Sequence, residues 1–293
     1  MLLFCGNKIL RHAGTLSATM VSVGDRIDEE CYDVIFNDGT NAILPKGIKV
    51  SLIEHKHLQI DREREDCMYG SRSKFRLKKV IPEFTKTNKD AYFIGFCICL
   101  PIKNGEIQTK KKSIIDINSV PNQYFNMDVK SMPNDYFKII AAEGYPNLIK
   151  LELKRIRNFT KLRDRFIPDE YLFSSIEDRI SLIRGCMDAC GRFCKSETTF
   201  ETSSRQLAKD FSFLIKSIGG FCKIRSKQSK REYYILSISF KNDFNPFLTK
   251  ANTFRSSKNP RVRSIVKIEK AGILPCLETP LDSAILENLI EVS

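Results

Sequence analysis

The side chains best placed for chemistry in this chain crowd the end of one helical stretch. Residues 167–191 read IPDEYLFSSIEDRISLIRGCMDACG, and their last turn carries Cys186, Asp188 and Cys190, with Cys194 just beyond. Thiols at such spacing can hold a soft metal, take part in redox exchange, or pack. A zinc site needs cysteine and histidine at finger-like spacing. The ten cysteines contain no CxxC pair, and His12, His55 and His57 lie far from the cluster in sequence. Reduced, packing cysteines are therefore expected, with Cys186, Cys190 and Cys194 stacked on one side at intervals of four. A metal or redox role is the alternative.

The second chemistry is charge. Forty-eight Lys and Arg against 35 Asp and Glu give a formal net charge of +13. That excess points to a polyanionic partner, nucleic acid being the usual one because each neutralised phosphate releases counterions. A basic solvated surface or an anionic membrane patch is the competing reading. The cations are also patterned. In FCKIRSK, Lys223, Arg225 and Lys227 share one face opposite Cys222 and Ile224, and Lys230 and Arg231 follow. Lys110, Lys111 and Lys112 form a run, and Lys250 stands apart. Alternate cations on a strand offer a row to phosphates, where the bland reading is a solvated sheet face.

The elements that would position these groups change character along the chain. Residues 1–86 read as β-rich, with CYDVIFNDGTNAIL alternating around a hairpin turn at Asn37-Asp38-Gly39. After a polar hinge, AYFIGFCICLP forms a compact apolar element that Asn88 can cap and Pro101 ends. Gly95 in its middle costs helix stability unless something packs closely against it. IKNGEIQTKKKSIIDI predicts a hairpin turning at Asn104-Gly105, residues 134–142 a short helix, and residues 147–156 a strand.

The second half is clearer. Ser174 and Glu177 suggest a capping box, with Ile176, Ile180, Ile183 and Met187 along one helical face and Gly185 in the helix interior. RFCKSETTFETS gives two strands. Ser203 or Ser204 caps a helix that turns Leu207, Phe211 and Leu214 inward and stops at Gly219-Gly220. FCKIRSK and REYYILSISF then alternate as strands, the latter with Tyr234, Leu236, Ile238 and Phe240 on one side and Tyr233, Ser237 and Ser239 on the other. The order is helix, strand, strand, helix, strand, strand. No apolar run is long enough to span a membrane, and MLLFCGNKILRH is a poor signal peptide, so an intracellular protein is expected.

This series resembles the core of a LAGLIDADG, or DOD-type, homing endonuclease of the kind carried inside inteins. The likeness rests on Ile167-Pro168, Tyr171-Leu172, Ser175, Arg179, Leu182, Gly185, Met187-Asp188 and Gly191, on FETSSRQLAKDFSFLIKSIGG, and on NDFNPF with Lys250. It implies an α+β fold in which two αββαββ repeats form a pseudo-symmetric saddle on duplex DNA. The two motif helices would pack through Gly95 and Gly185, making the chain a monomeric pseudo-dimer. TMVSVGDRIDEECYDVIFNDGT, FRLKKVIPEF and residues 263–293 are similar to strands of a Hint, or protein-splicing, domain. The implied organisation is 1–87 as the first part of a Hint-like β domain, 88–260 as the endonuclease-like domain (repeats 88–160 and 161–260), and 261–293 as returning Hint-like strands.

Departures from the family pattern bear on activity. Active relatives hold Mg²⁺ with an acid at the foot of each motif helix, because that ion wants hard oxygen ligands. The corresponding positions here are Leu100 and Cys190. Asp188, two residues before Cys190, points about 200° away around a helix. Splicing needs a first-residue Cys or Ser, a block histidine and a terminal His-Asn. The chain offers Met1, Pro45-Lys46-Gly47 and Val292-Ser293 instead. The expectation is a DNA-binding protein with no cofactor, no cleavage and no splicing. Three other readings compete: an active nuclease using displaced acids such as Asp188 or Glu106, a maturase-like RNA-binding module, and a relic with no ligand.

Overall fold

A computed structural model describes residues 2–4, 9–10, 26–69, 72–85, 87, 91–100, 102–103, 106–110, 127–131, 136–141, 161–194, 197–228, 232–240, 244–249, 261–279, 284–286 and 289–293. None of the helices among these is long and apolar enough to cross a membrane. The chain divides into two compact units, Met1–Thr85 with Pro260–Ser293, and Lys86–Asn259.

Among its described residues the first unit is built of β-strands, with one 3-10 turn at Ile53–His55. Its long strand Ser264–Thr279 pairs with Arg26–Phe36 on one side and Leu2–Phe4 on the other, and Arg26–Phe36 pairs with Asn41–Pro45. Gly272, at φ +103°, sits where the long ladder shifts register, a backbone state that only glycine enters freely. A second sheet joins Ile9–Leu10, Ala284–Leu286, Glu291–Val292, Lys49–Ser51 and His57–Gln59. Residues from both flanks share one core: Val34, Phe36, Val50, Ile60, Ile265, Ile268 and Val292 are all fully or almost fully buried.

The hairpin at Asn37-Asp38-Gly39 forms as its sequence suggests, with Gly39 at φ +83°. Asp38 Oδ1 accepts from Thr40 N at 3.0 Å, and Arg263 closes the turn from the other flank, 2.8 Å from Asp38 Oδ2 and 4.5 Å above the Phe36 ring. Burial lowers the Arg263 pKa, while Asp38 pulls it back up. Removing one partner of a buried pair leaves an uncompensated charge. Asp38→Ala is therefore expected to lower the unfolding free energy by about 3 kcal/mol in urea melts.

The second unit mixes helices with two four-stranded sheets. Helix α1 (Ala91–Cys99) is buried at every residue, which explains a segment without a single charge. The first sheet runs Ile102–Lys103, Glu106–Lys110, Tyr136–Ala141, Met127–Ser131. Tyr136–Ala141 is therefore a strand, contrary to the helix expected over 134–142. Tyr136–Ala141 is the strand lying between Glu106–Lys110 and Met127–Ser131. Its YFKIIA run is aromatic and β-branched and too short for a stable helix. The strand expected at 147–156 and the cap expected at Asn88 lie outside the described residues.

After α2 (Asp169–Leu172) comes α3 (Ile176–Cys190). Its cap is Ser175, whose hydroxyl accepts from Asp178 N at 3.3 Å, and not Ser174. Ser174 is buried with its hydroxyl donating to Tyr171 O, and its carbonyl accepts from Arg179 Nε. Ile176 and Ile180 are only half-buried. The buried residues of α3 are Arg179, Leu182, Ile183, Gly185, Cys186, Met187 and Asp188, a stripe broader than and rotated from the isoleucine row.

Ser204 caps α4 (Arg205–Ser217), accepting from Leu207 N at 3.1 Å. That helix lays Leu207, Phe211, Leu214 and Ile215 on the inner face of the second sheet, where the Phe211 ring stands 4.2 Å from Phe200. The second sheet runs Gly191–Cys194, Glu197–Thr202, Glu232–Ser239, Phe221–Gln228. Both sheets of this unit thus follow a helix and share one strand order: first, second, fourth, third.

Candidate functional site

The site is built on the contact between α1 and α3. A methyl group on Gly95 would overlap the Leu182 carbonyl oxygen and lie 3.2 Å from Cys186 N. One on Gly185 would overlap the Tyr92 carbonyl oxygen and lie 2.9 Å from Phe96 N. Each glycine is thus the place where the other helix's backbone passes, and a side chain on either would hold the helices apart. Alanine at Gly185 gains about 1 kcal/mol of helix propensity, but overpacking of this kind costs about 1–3 kcal/mol, and the obstacle here is backbone that cannot rotate away. Gly185→Ala is expected to destabilise the protein by roughly 2 kcal/mol, read as an earlier urea midpoint with an unchanged slope.

At the foot of α1, Leu100 is buried among the core side chains, and its carbonyl accepts from Arg165 Nη2 at 3.3 Å. At the foot of α3, Cys190 is half-buried and its thiol donates to the Cys99 carbonyl at 3.2 Å. The two positions therefore present a hydrocarbon and a thiol. Gly191, the residue after α3, opens the next strand in extended backbone with φ −74°. A Cβ there would press on Met187, 2.9 Å from its Cα.

Asp188 is the one carboxylate at this end of α3, and it is buried and fully engaged. Oδ2 accepts from the Tyr92 hydroxyl at 2.7 Å and from Leu248 N at 3.1 Å. Thr249 donates through N at 3.2 Å to Oδ2 and through its hydroxyl at 2.9 Å to Oδ1. Burial raises its pKa, and these donors oppose that shift. The side chain staples α1, α3 and residues 248–249 together, so its lone pairs are already used by protein donors. Among the described residues no group of three His, Cys, Asp or Glu could hold a metal ion. The side chain of Glu106 lies outside those residues.

The open face of the second sheet carries the cations. Arg225 and Lys227 are exposed and Lys223 is half-buried on the strand Phe221–Gln228, while Cys222 is buried on the opposite face. Register sets Lys223 beside Ser237, Arg225 beside Ile235 and Lys227 beside Tyr233. None of the three cations has an ion-pair partner among the described residues. Arg192 joins this face through its pairing with Thr199, itself opposite Ser237. Arg192 lies 3.7 Å from Glu201, an acid on the same face. Neither residue stands out in the sequence, because strand parity alone cannot assign a face until the pairing is known.

The remaining sequence candidates are placed less fully. Lys110 ends a strand of the first sheet opposite Tyr136, with its side chain outside the described residues. Lys111, Lys112, Lys230, Arg231 and Lys250 lie outside them altogether. Cys194 is on a strand opposite Glu197, so it does not continue the helical stack of Cys186 and Cys190. Cys31, Cys67, Cys97, Cys99, Cys186, Cys190 and Cys222 are not joined in disulfides. Cys276, in the first unit, is disulfide-bonded, against the expectation of uniformly reduced cysteines.

No protein-family model matches the chain, and no curated protein matches it. Solved structures do. A crystal structure of I-DmoI in complex with DNA and Mn aligns over 51% of this chain and 88% of its own, at 16% identity and a TM-score of 0.35. The complex of I-DmoI with DNA and Ca aligns over 51% and 82% at 16% identity, with a TM-score of 0.36. Mesophilic variants of the homing endonuclease I-DmoI align over 51% and 88% at 15% identity, with a TM-score of 0.35.

Proposed function

We propose that the unit spanning residues 86–259 binds duplex DNA as a LAGLIDADG-type module that has lost cleavage, inside a chain derived from an intein and no longer splicing. The observation that carries this reading is the row Lys223, Arg225, Lys227 on an open sheet face whose other side is sealed by a helix and core. An apolar face packed inward and a cationic, hydroxyl-bearing face turned outward is how a sheet meets a phosphate backbone. The shared strand order of the two sheets and the glycine-to-glycine helix contact support a pair of related halves. The two sheets would then lie on successive stretches of one duplex as a monomer.

Loss of cleavage is supported by the chemistry at the helix feet. Leu100 offers no ligand and the Cys190 thiol is a poor one for Mg²⁺. Asp188 would have to abandon four protein donors to serve instead. Active relatives take Mg²⁺ at these two positions, and the residues here do not fit that ion. Loss of splicing is supported by Pro45-Lys46-Gly47, which replace a histidine needed to polarise the scissile amide. The first unit would then be a Hint-like remnant that both flanks complete.

The test is a gel-shift titration of the full chain against random duplex, with and without Mg²⁺, across salt concentrations. Binding without metal and no plasmid nicking with metal are expected; nicking, or preference for folded RNA over duplex in competition, would overturn the reading. Arg225→Ala with Lys227→Ala should weaken binding by roughly tenfold and reduce the magnitude of the log–log salt slope by about 2, one for each phosphate left unneutralised.

Restoring carboxylates tests the electrostatics of the feet. Acids facing phosphates repel them unless a cation intervenes. Leu100→Asp with Cys190→Asp, and the milder Cys190→Asp alone, should weaken metal-free binding several-fold, with added Mg²⁺ reversing the loss. Circular dichroism distinguishes weakened binding from misfolding, since Leu100 belongs to the core.

A further inference from the structure

Three cysteines, Cys99, Cys186 and Cys190, lie at or near the ends of α1 and α3. The Cys190 thiol donates to the Cys99 carbonyl at 3.2 Å. Burial and the neighbouring Cys186 push the Cys99 thiol up, while Cys190 and the Arg165 charge oppose that shift. All three cysteines are reduced. This group is not metal-ligating in geometry, since no three-residue metal cluster exists among the described residues. What remains for neighbouring thiols is oxidation.

We propose that Cys99 and Cys190 form a disulfide across the glycine seam when the chain meets a small-molecule disulfide oxidant. Accessibility selects the pair. Cys190 is half-buried and open to attack from solution, whereas Cys186 is 0% exposed and Cys99 8%. Proximity is already present, because Gly95 and Gly185 bring the two backbones into contact one to two turns earlier. A disulfide needs Cα atoms roughly 4.4–6.8 Å apart, and the Cys190 thiol already reaches the Cys99 backbone, 3.2 Å from its carbonyl oxygen.

The reaction balances as two exchanges. The Cys190 thiolate attacks one sulfur of the oxidant, forming a mixed disulfide and releasing one small thiol. The Cys99 thiolate then attacks Cys190 Sγ, closing the protein disulfide and releasing the second. The two cysteines lose two electrons and two protons, and the oxidant gains both. Burial pushes the Cys99 thiol well up, and its contact with Cys190 and the nearby Arg165 charge only partly offset that. The second step is accordingly the slow one. It gains from the mixed disulfide being held beside Cys99 rather than arriving by diffusion.

The consequence is a covalent clamp on a contact that van der Waals packing and the Tyr92–Asp188 and Cys190–Cys99 hydrogen bonds otherwise hold. It ties together segments far apart in sequence, which is where a cross-link most restricts the unfolded chain.

The experiment uses the full chain in its native state with excess oxidised glutathione, followed by alkylation, digestion and mass spectrometry without reduction. Trypsin leaves Cys97 with Cys99 and Cys186 with Cys190. Fragmentation inside the linked peptide, together with Cys97→Ser and Cys186→Ser variants, assigns the pair. The expected result is a Cys99–Cys190 link that both variants retain and dithiothreitol reverses, with a melting temperature raised by roughly 5–10 °C. Cys190→Ser should show neither the link nor the rise. Glutathione left on Cys190 as a mixed disulfide, a link to Cys186 instead, or no reaction in the folded protein would each overturn the proposal.

Discussion

The second unit depends on two helices meeting backbone to backbone. Gly95 rests against Leu182 and Cys186, and Gly185 against Tyr92 and Phe96, so no side chain separates the axes at their crossing. Each glycine weakens its own helix by about 1 kcal/mol. The gain is dispersion attraction over a surface with almost no rotamer freedom left to lose. Helix α1 depends wholly on this arrangement, since every residue from Ala91 to Leu100 is buried. A nine-residue helix of that composition would be neither stable nor soluble alone. Asp188 fixes what the glycines permit, by joining Tyr92 of one helix to its own helix and to Thr249.

How much of this is legible in the residues alone varies with the range of the interaction. The two mid-helix glycines are legible because each is a local cost with no local compensation. The parity of FCKIRSK is legible because alternation is a property of one strand. The choice between Ser174 and Ser175 as the cap is not, since serine caps well at either position and only burial separates them. Residues 134–142 mislead because a short apolar run suits either period until its neighbours are known. The partners of Asp188 lie far along the chain at Leu248 and Thr249, and nothing around residue 188 announces them. Arg192 and Glu201 wait on the strand pairing for the same reason.

Charge is distributed in the second unit with a clear division. Exposed cations occupy the open face of a sheet, while the ends of the packed helices hold leucine, cysteine and an aspartate whose bonds are already made. Buried cations serve the backbone instead. Arg179 donates to Ser174 O and Ser217 O, the latter at the end of α4 where a helix dipole favours positive charge. Burial lowers its pKa to about 10, which still leaves it charged at neutral pH. Positive charge near the surface is thus available to a partner, and positive charge inside is committed.

The ladder between Ser264–Thr279 and Arg26–Phe36 has an implication for how the molecule comes into being. Its longest strand follows the whole of the second unit in the chain, yet it pairs with strands that precede that unit, and Phe75-Arg76 meets Ile265 and Ser264 directly. On the ribosome the inserted unit is complete while its host still lacks a central strand. An insert that folds early draws the two halves of the host toward each other and shortens the loop whose closure would otherwise be the largest entropic cost of the β unit. An insert that folds late leaves unpaired strand edges exposed, and those are templates for aggregation.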